Sequence, residues 1–379
     1  MGTLRSTLWL GLFIALLATG CGSDDDGHTS GGDEDTLTVM TYNVYLGADL
    51  ETVFQQLSDL PPGAVGQVAE AAYEIYDQIV NQSDFSLRAE AIADAIAAHE
   101  LHFVGLQEMA LIRTGPPNFL LTGGVPDAED IEVDFREALK TALELRGMDY
   151  WFDYQIANAD VELPMHDGGI FFKDGRLTLF DVLLVRGDVE VSGYDVGNYL
   201  QAFSPPLTIP IAITRGYVMV EASVAGRTYS VVNTHLEAAE PSIRDAQAQQ
   251  LLQFLGDGDA PIVLLGDFNS SPDIGSGIDD DNAYSGVIEA GFVDMWKDSP
   301  GTGFTCCQEP QLTADWTLSK RIDFVFVRNS TSSGAAYIDT LAGEAFLVGD
   351  QSSDRVADSN GTLIWPSDHA GVGAVLYVD

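Results

Sequence analysis

Six short strings of acids, amides and histidines carry the chemistry available to this chain. In order they are Thr41-Tyr42-Asn43-Val44, Gln107-Glu108, Asn233-Thr234-His235-Leu236, Gly266-Asp267-Phe268-Asn269, Arg321-Ile322-Asp323-Phe324 and Ser367-Asp368-His369. Such side chains are poor occupants of buried strand ends unless something there needs them. Along a strand alternate residues share a face, so Asp267 and Asn269 point one way while Phe268 turns to the core. A carboxylate two residues from an amide can bind a hard cation or hold a water between an acceptor and a donor. An Asx turn closing a loop would satisfy the same string. Glu108, directly after the apolar run Phe103–Leu106, is an oxygen ligand suited to Mg²⁺, which takes one or two carboxylates and keeps several waters. Of the six histidines, only His235 and His369 stand in such strings. Imidazole matches proton transfer near neutral pH when a carboxylate fixes its tautomer, and Asp323 is the candidate for that partner. His99, His102 and His166 read as structural or exposed, and His28 lies in an acidic N-terminal stretch.

The inventory also excludes chemistry. There is no Gly-x-Ser-x-Gly elbow, no glycine-rich phosphate loop before a lysine and no Cys/His spacing for zinc. Direct attack of an activated water on phosphorus fits best.

The elements that must position these residues follow from periodicity. Strand-like runs occur at Leu37–Met40, Phe103–Leu106, Gly169–Phe172, Leu179–Leu184, Tyr217–Ala222, Tyr229–Asn233, Ile262–Leu265, Ile322–Val327 and Gly373–Tyr377. Apolar positions three and four apart predict helices at Ala69–Ile79, Arg88–His99, Val133–Arg146 and Ile243–Leu255. Strands with interspersed helices and no internal sequence repeat predict an α+β fold: a four-layer α/β/β/α sandwich with two mainly antiparallel sheets face to face and helices outside.

A length of 379 suits one or two domains, and 46% apolar residues are enough for a full core. The net charge of −41, with 17 Lys and Arg against 58 Asp and Glu, repels polyanions. Long nucleic acid is therefore disfavoured as a substrate, though not excluded, because a metal can still neutralise one local phosphate. Arg5 precedes the apolar run Leu8–Ala18, too short to span a bilayer, and Ala18-Thr19-Gly20-Cys21 resembles a lipoprotein cleavage site with alanine where leucine is usual. The expectation is a signal peptide over 1–20, lipidation at Cys21, a flexible acidic tether over 21–36 and one catalytic domain over 37–379. The protein would then be exported and membrane-anchored at the cell surface or in the periplasm, or secreted if the segment is an ordinary signal peptide. Cys306 and Cys307 are adjacent. A vicinal disulfide and two buried thiols both remain open, and no neighbouring base points to cysteine catalysis.

The ordered set resembles the endonuclease/exonuclease/phosphatase (deoxyribonuclease-I-like) superfamily over roughly residues 37–379. Within it, Tyr42–Leu50 and Gly303-Phe304-Thr305-Cys306-Cys307-Gln308 are similar to a secreted bacterial group. The resemblance implies Mg²⁺, with Mn²⁺ or Ca²⁺ as alternatives, held by Glu108 with Asn43 beside it and Asp368 completing the site. It implies that Asp267 orients or deprotonates the water, that Asn269 holds water and phosphate, and that His369 pairs with Asp323, with the Asp267 and His369 proton-transfer roles exchangeable. His235 would donate to the phosphoryl or leaving oxygen, and Arg215 would contact substrate phosphate. Two features separate the chain from its DNA-cleaving members: a helical insert over 50–100, and Asp167–Phe172 without an aromatic-plus-basic phosphate grip. The expected activity is hydrolysis of a small phosphoester, such as a phospholipid headgroup, by a monomer. A secreted nuclease and a catalytically silent binding module are the alternatives. Asp279-Asp280-Asp281 reads as a solvated acidic loop rather than a calcium site.

Overall fold

A computed structural model describes residues 35–50, 53, 57, 61, 63–168, 171–204, 213–272, 282–314 and 317–379. Cys21, the tether up to residue 34, most of 51–62, Gly169-Ile170 and Asp279-Asp280-Asp281 lie outside the described residues.

The first sheet has the strand order β13-β16-β1-β2-β6-β4, with β3 added to β2 and β5 to β6. Its strands are β1 (Thr36–Asn43), β2 (Phe103–Gly115), β3 (Asp130–Asp134), β4 (Tyr150–Trp151), β5 (Gln155–His166), β6 (Phe171–Arg186), β13 (Ile338–Val348) and β16 (Gly371–Val378). The second sheet runs β11-β12-β10-β9-β8-β7. It comprises β7 (Glu190–Asn198), β8 (Gly216–Val224), β9 (Arg227–His235), β10 (Ile262–Asp267), β11 (Val293–Asp294) and β12 (Asp323–Arg328). Among the described residues all ladders are antiparallel except two, β1 with β2 and β9 with β10. In each case the crossover is helical: α1 (Val65–Asp77), a π-helical turn (Gln78–Gln82) and α2 (Phe85–Ala98) lead to β2, and α4 (Pro241–Leu255) leads to β10. Helices α3 (Phe135–Leu145) and α5 (Asn282–Glu289) complete the outer layers.

Three apolar clusters hold the layers together. Alternation on β1 sends Leu37 and Val39 between the sheets, against Val263, Leu265 and Val325, and Met40 and Tyr42 outward beneath α2 and α3. The second sheet buries its other face, Leu264, Phe324 and Phe326, under α4 and α5 with Leu251 and Val287. This is the four-layer sandwich predicted from the strand and helix pattern.

Local boundaries moved for identifiable reasons. The helix expected from Val133 starts at Phe135, because Val133 belongs to β3 and the Asp134 carboxylate caps the helix by accepting from Arg136 N. Strands β5, β7 and β13 were not predicted. Strand β7 pairs only with β8 at a sheet edge and buries almost nothing, and β13 is interrupted by a register shift between Asp339 and Glu344.

Candidate active site

The strand topology collects the six strings at one end of the sandwich. In the first sheet the parallel pair puts Asn43 beside Gln107. In the second it puts His235 beside Asp267, and the antiparallel neighbour puts Asp323 opposite Asp267. Gly266 precedes Asp267 because a Cβ there would run into the Thr234 carbonyl on β9. Gly105 on β2 leaves room for the Asn233 side chain arriving from the facing sheet. Asn233 is fully buried and spends its amide on Gln107 Nε2 (2.6 Å), Leu106 O (3.2 Å) and Val182 O (3.0 Å), joining the sheets directly beneath the site. Gln107 and Asn233 are therefore scaffold.

Glu108 occupies a bulge. The β2–β6 register shifts between Leu106 and Met109, and Glu108 has a left-handed backbone (φ 62°). Bulges of this kind re-aim a side chain out of the pleat. Glu108 Oε1 accepts from Asn43 Nδ2 (3.1 Å) and Oε2 from Leu46 N (2.9 Å). Asn43 Nδ2 also reaches Asp267 Oδ2 (3.0 Å), while its Oδ1 accepts from Tyr45 N (3.0 Å). Asn43 thus presents its donors to the two carboxylates and bridges the sheets.

On the other flank His369 Nδ1 lies 2.9 Å from Asp323 Oδ2, and its Nε2 lies 4.0 Å from both Asp267 Oδ2 and Asp368 Oδ1. The loop that carries them is tied to β1 by Ser367 Oγ, which donates to Asn43 O (2.7 Å). Burial opposes the charge on His369, but Asp323, Asp368 and Asp267 outweigh it and raise its pKa well above the usual value. Burial pushes Asp323 up to about 6 despite the imidazole beside it. It pushes Asp368 up to about 7, with His369 opposing and Glu108 adding to the rise. Asp267 goes the other way: burial would raise it, but His235, His369 and the Asn43 amide together hold it below the ordinary carboxylate value.

His235 sits between Arg215 and Asp267. Arg215 Nη1 is 2.9 Å from Nδ1, and a guanidinium can only donate, so Nδ1 is the acceptor and the proton is on Nε2. That Nε2 lies 3.5 Å from Asp267 Oδ2 and 3.2 Å from Asn269 Nδ2, whose own donation goes to Leu236 O (3.0 Å). Asn269 N donates to Asp267 Oδ1 (2.9 Å), and Asn269 has a left-handed backbone (φ 49°). Arg215, expected as a substrate-phosphate contact, is largely buried, its side chain 13% accessible, and its guanidinium is turned to His235.

Two contributors escaped the sequence reading. Asp181 on β6 is buried opposite the Glu108 bulge, accepts from Asn158 Nδ2 (2.5 Å) and lies 3.8 Å from His235 Nδ1. Its signal was a lone acid inside the run Leu179–Leu184. Arg88 on α2 is fully buried and donates to Val44 O (2.7 Å), Tyr45 O (3.0 Å), Ser83 O (2.9 Å) and Pro366 O (3.0 Å). It therefore clamps the loop after Asn43 to the loop before Asp368. Its signal was an arginine on the apolar face of a helix, where Ala89, Ile92 and Ile96 are buried.

Glu108, Asp181, Asp267, Asp323 and Asp368 thus gather around two imidazoles, with Asp181, Asp267, Asp323 and both histidines buried and Glu108 and Asp368 half-buried. Asp323 Oδ1 is buried without a hydrogen-bond partner among the described residues. Asp267, Asp323 and His369 have ligand atoms within 4.8 Å of one another. A hard divalent cation fits such an oxygen-rich set.

The family model for the endonuclease/exonuclease/phosphatase family matches residues 40–369. The chain belongs to that family. It is accordingly a hydrolase of phosphoric esters of the divalent-metal-dependent type. Among solved structures it is similar to an endonuclease/exonuclease/phosphatase family protein from Bacteroides thetaiotaomicron, at 16% identity and TM-score 0.51, covering 91% of this chain and 98% of that one. It is also similar to the B. thetaiotaomicron mannosyl-6-phosphatase Bt3783 (16% identity, TM-score 0.49, 90% and 99% coverage). A humanized D. rerio TDP2 is a further neighbour (14%, 0.47, 90% and 98%). No curated protein matches the chain. The first of these structures supports the sandwich fold of the family.

Proposed function

We propose that this family member is an exported, Mg²⁺-dependent phosphoesterase that hydrolyses a phosphodiester or phosphomonoester smaller than DNA, a phospholipid headgroup being the leading class. The observation that carries the reading is the His369–Asp323 pair set beside an ionised Asp267, with Glu108 and Asp368 on the adjoining flank.

His369 Nδ1 and Asp323 Oδ2 are engaged with each other, and we assign the cation to Glu108 and Asp368, with Asn43 steadying Glu108. Bound there, Mg²⁺ would polarise a phosphoryl oxygen and offset the charge developing on it. The chain supplies the rest. Asp267, ionised and fixed by Asn43 and by Asn269 N, accepts the proton of the attacking water. His369, charged at neutral pH and oriented by Asp323, donates from Nε2 to the leaving oxygen. His235, with its proton on Nε2 by virtue of Arg215, donates to a phosphoryl oxygen, and Asn269 holds the water and phosphate beside it.

Export and anchoring rest on Arg5, the run Leu8–Ala18 and the lipobox-like residues up to Cys21, and the acidic surface favours a short substrate over a polyanion. The test is phosphate or headgroup release across phospholipids, sugar and inositol phosphates and nucleic acid, with Mg²⁺, Mn²⁺, Ca²⁺ and chelator. Metal-dependent turnover of a small phosphoester is expected. Faster plasmid nicking than any small-ester hydrolysis would overturn the substrate reading, and unchanged turnover in Glu108→Ala or His369→Ala would overturn the mechanism. Labelling of Cys21 by a fatty-acid probe, absent in Cys21→Ser, tests the anchor.

A further inference from the structure

The segment Gly303-Phe304-Thr305-Cys306-Cys307-Gln308 has no role in that hydrolysis, yet it lies against the acid–base pair. Thr305 O accepts from Ala370 N (2.7 Å), Gln308 N donates to Asp368 O (2.7 Å), and Cys306 makes a β-bridge to His369. On its other side Cys306 N donates to Lys320 O (3.0 Å), and Thr305 Oγ1 accepts from Ile322 N (3.2 Å) and Asp323 N (3.3 Å). The segment is the backbone strip between the stretches that deliver His369 and Asp323. Cys306 is buried, Cys307 is partly exposed, and the two are joined as a disulfide. Both sulfurs and a ring nitrogen of His369 lie within 4.8 Å of one another.

That spacing selects a ligand class. Metal–sulfur and metal–nitrogen bonds of about 2.3 and 2.0–2.1 Å in a tetrahedral site put ligand atoms roughly 3.5–3.8 Å apart, so the imidazole need approach by no more than about 1 Å, while the two sulfurs, bonded to each other, must part once reduced. Two thiolates and an imidazole form a soft set that takes Zn²⁺, Cd²⁺ or Cu⁺ in preference to the hard cations of an oxygen site. In the disulfide neither sulfur is a thiolate, and His369 is left to Asp323.

We propose that Cys306, Cys307 and His369 form a thiophilic-metal site that opens when the Cys306–Cys307 disulfide is reduced and that, once filled, withdraws His369 from hydrolysis. Only this last consequence rests on the phosphoesterase reading. A dithiol reductant supplies two electrons and two protons; the S–S bond breaks, each cysteine becomes a thiol, and the reductant closes to its own disulfide. A divalent ion then displaces both thiol protons and one imidazolium proton to solvent and takes the lone pair so freed on the imidazole. Binding at Nδ1 breaks the bond to Asp323, and binding at Nε2 blocks the nitrogen that faces Asp267. Either outcome stops proton transfer by His369.

The test uses the full chain carrying Cys21→Ser, so that only this pair responds. Oxidised and phosphine-reduced protein, freed of reductant and held in excess Mg²⁺ to occupy the oxygen site, is titrated with Cd²⁺ while the thiolate-to-cadmium ultraviolet band is followed and free thiols are counted. Reduced protein should show two thiols and bind one Cd²⁺ with that band; oxidised protein should show neither. His369→Ala should weaken Cd²⁺ binding to the reduced form by about 10–100-fold. Cys307→Ser, which spares the buried Cys306, should remove the band's reduction dependence. Two thiols without the band at equimolar Cd²⁺, an unchanged affinity in His369→Ala, or free thiols in the oxidised preparation would each overturn the proposal. In a hydrolysis assay equimolar Cd²⁺ should silence the reduced enzyme and spare the oxidised one, and equal inhibition of both would overturn the control of His369. Absence of turnover in both states would count against the phosphoesterase reading alone, and the Cd²⁺ titration would still decide the site.

Discussion

The two sheets bring residues to the site by the same device and hold them by different means. Each has a central strand with one parallel and one antiparallel neighbour: β1 between β2 and β16, and β10 between β9 and β12. In the second sheet His235, Asp267 and Asp323 stand in register on three adjacent strands, each 1% exposed, so the pleat fixes them. In the first sheet Glu108 sits in a bulge and Asp368 in a loop, and the buried guanidinium of Arg88 ties that loop to the backbone beyond Asn43. His235, Asp267 and Asp323 are thus set by strand register. Glu108, Asp368 and His369 are set by irregular backbone around the buried guanidinium of Arg88, and this half should yield first.

Breaking the proposed acid–base set, which draws on both halves, should cost the most activity. Asp267→Ala or His369→Ala should lower kcat by about 10²–10⁴-fold with little change in the urea midpoint, the loss expected for removing a general acid or base. Arg88→Ala attacks the irregular half through stability. It strands four carbonyls that a buried guanidinium had satisfied, at about 1–3 kcal/mol for each group left unpaired, so a loss of several kcal/mol in urea unfolding is expected. The Mg²⁺ concentration for half-activity should rise in parallel, and Arg88→Lys should recover only part of both. A smaller effect separates the two imidazoles: Arg215→Gln or Asp181→Asn should cost about 10–100-fold in kcat/KM by releasing the orientation of His235, without altering the metal requirement. The smallest effect is a pH dependence. Below about 7 Asp368 holds a proton that the cation must displace, and above it does not. Apparent Mg²⁺ affinity should therefore rise with pH and level off above about 7, falling by about tenfold per unit below it, and Asp368→Asn should flatten the profile. A profile that is flat in the parent protein would place the cation elsewhere than on Asp368.

What could be read beforehand divides along the same line. The six strings all fall at the site because five of them end or begin a strand, as at Val263–Leu265 before Asp267, and Gln107-Glu108 interrupts one, β2, at its bulge. Register turned those patterns into positions without further information. Asp181 and Arg88 were not read, because each looks like an error in an apolar pattern until its partner, distant in sequence, is known. The Glu108 bulge is likewise set by pairing with β6 and has no local signature in Gln107-Glu108. Edge strand β7 was missed because its residues face solvent rather than a core, and β13 because only its two ends, Ile338 and Val348, are buried and its middle carries a register shift.

The bond from Ser367 to the carbonyl of Asn43 spans 324 positions, and β16 zips antiparallel onto β1 from Thr36 opposite Tyr377. The first strand therefore waits, with an edge open, until the last one emerges. Contacts of such separation close slowly, and Asp368 and His369 reach the site only with the segment that docks on β1. Assembly of the candidate site is thus tied to the pairing of β1 with β16.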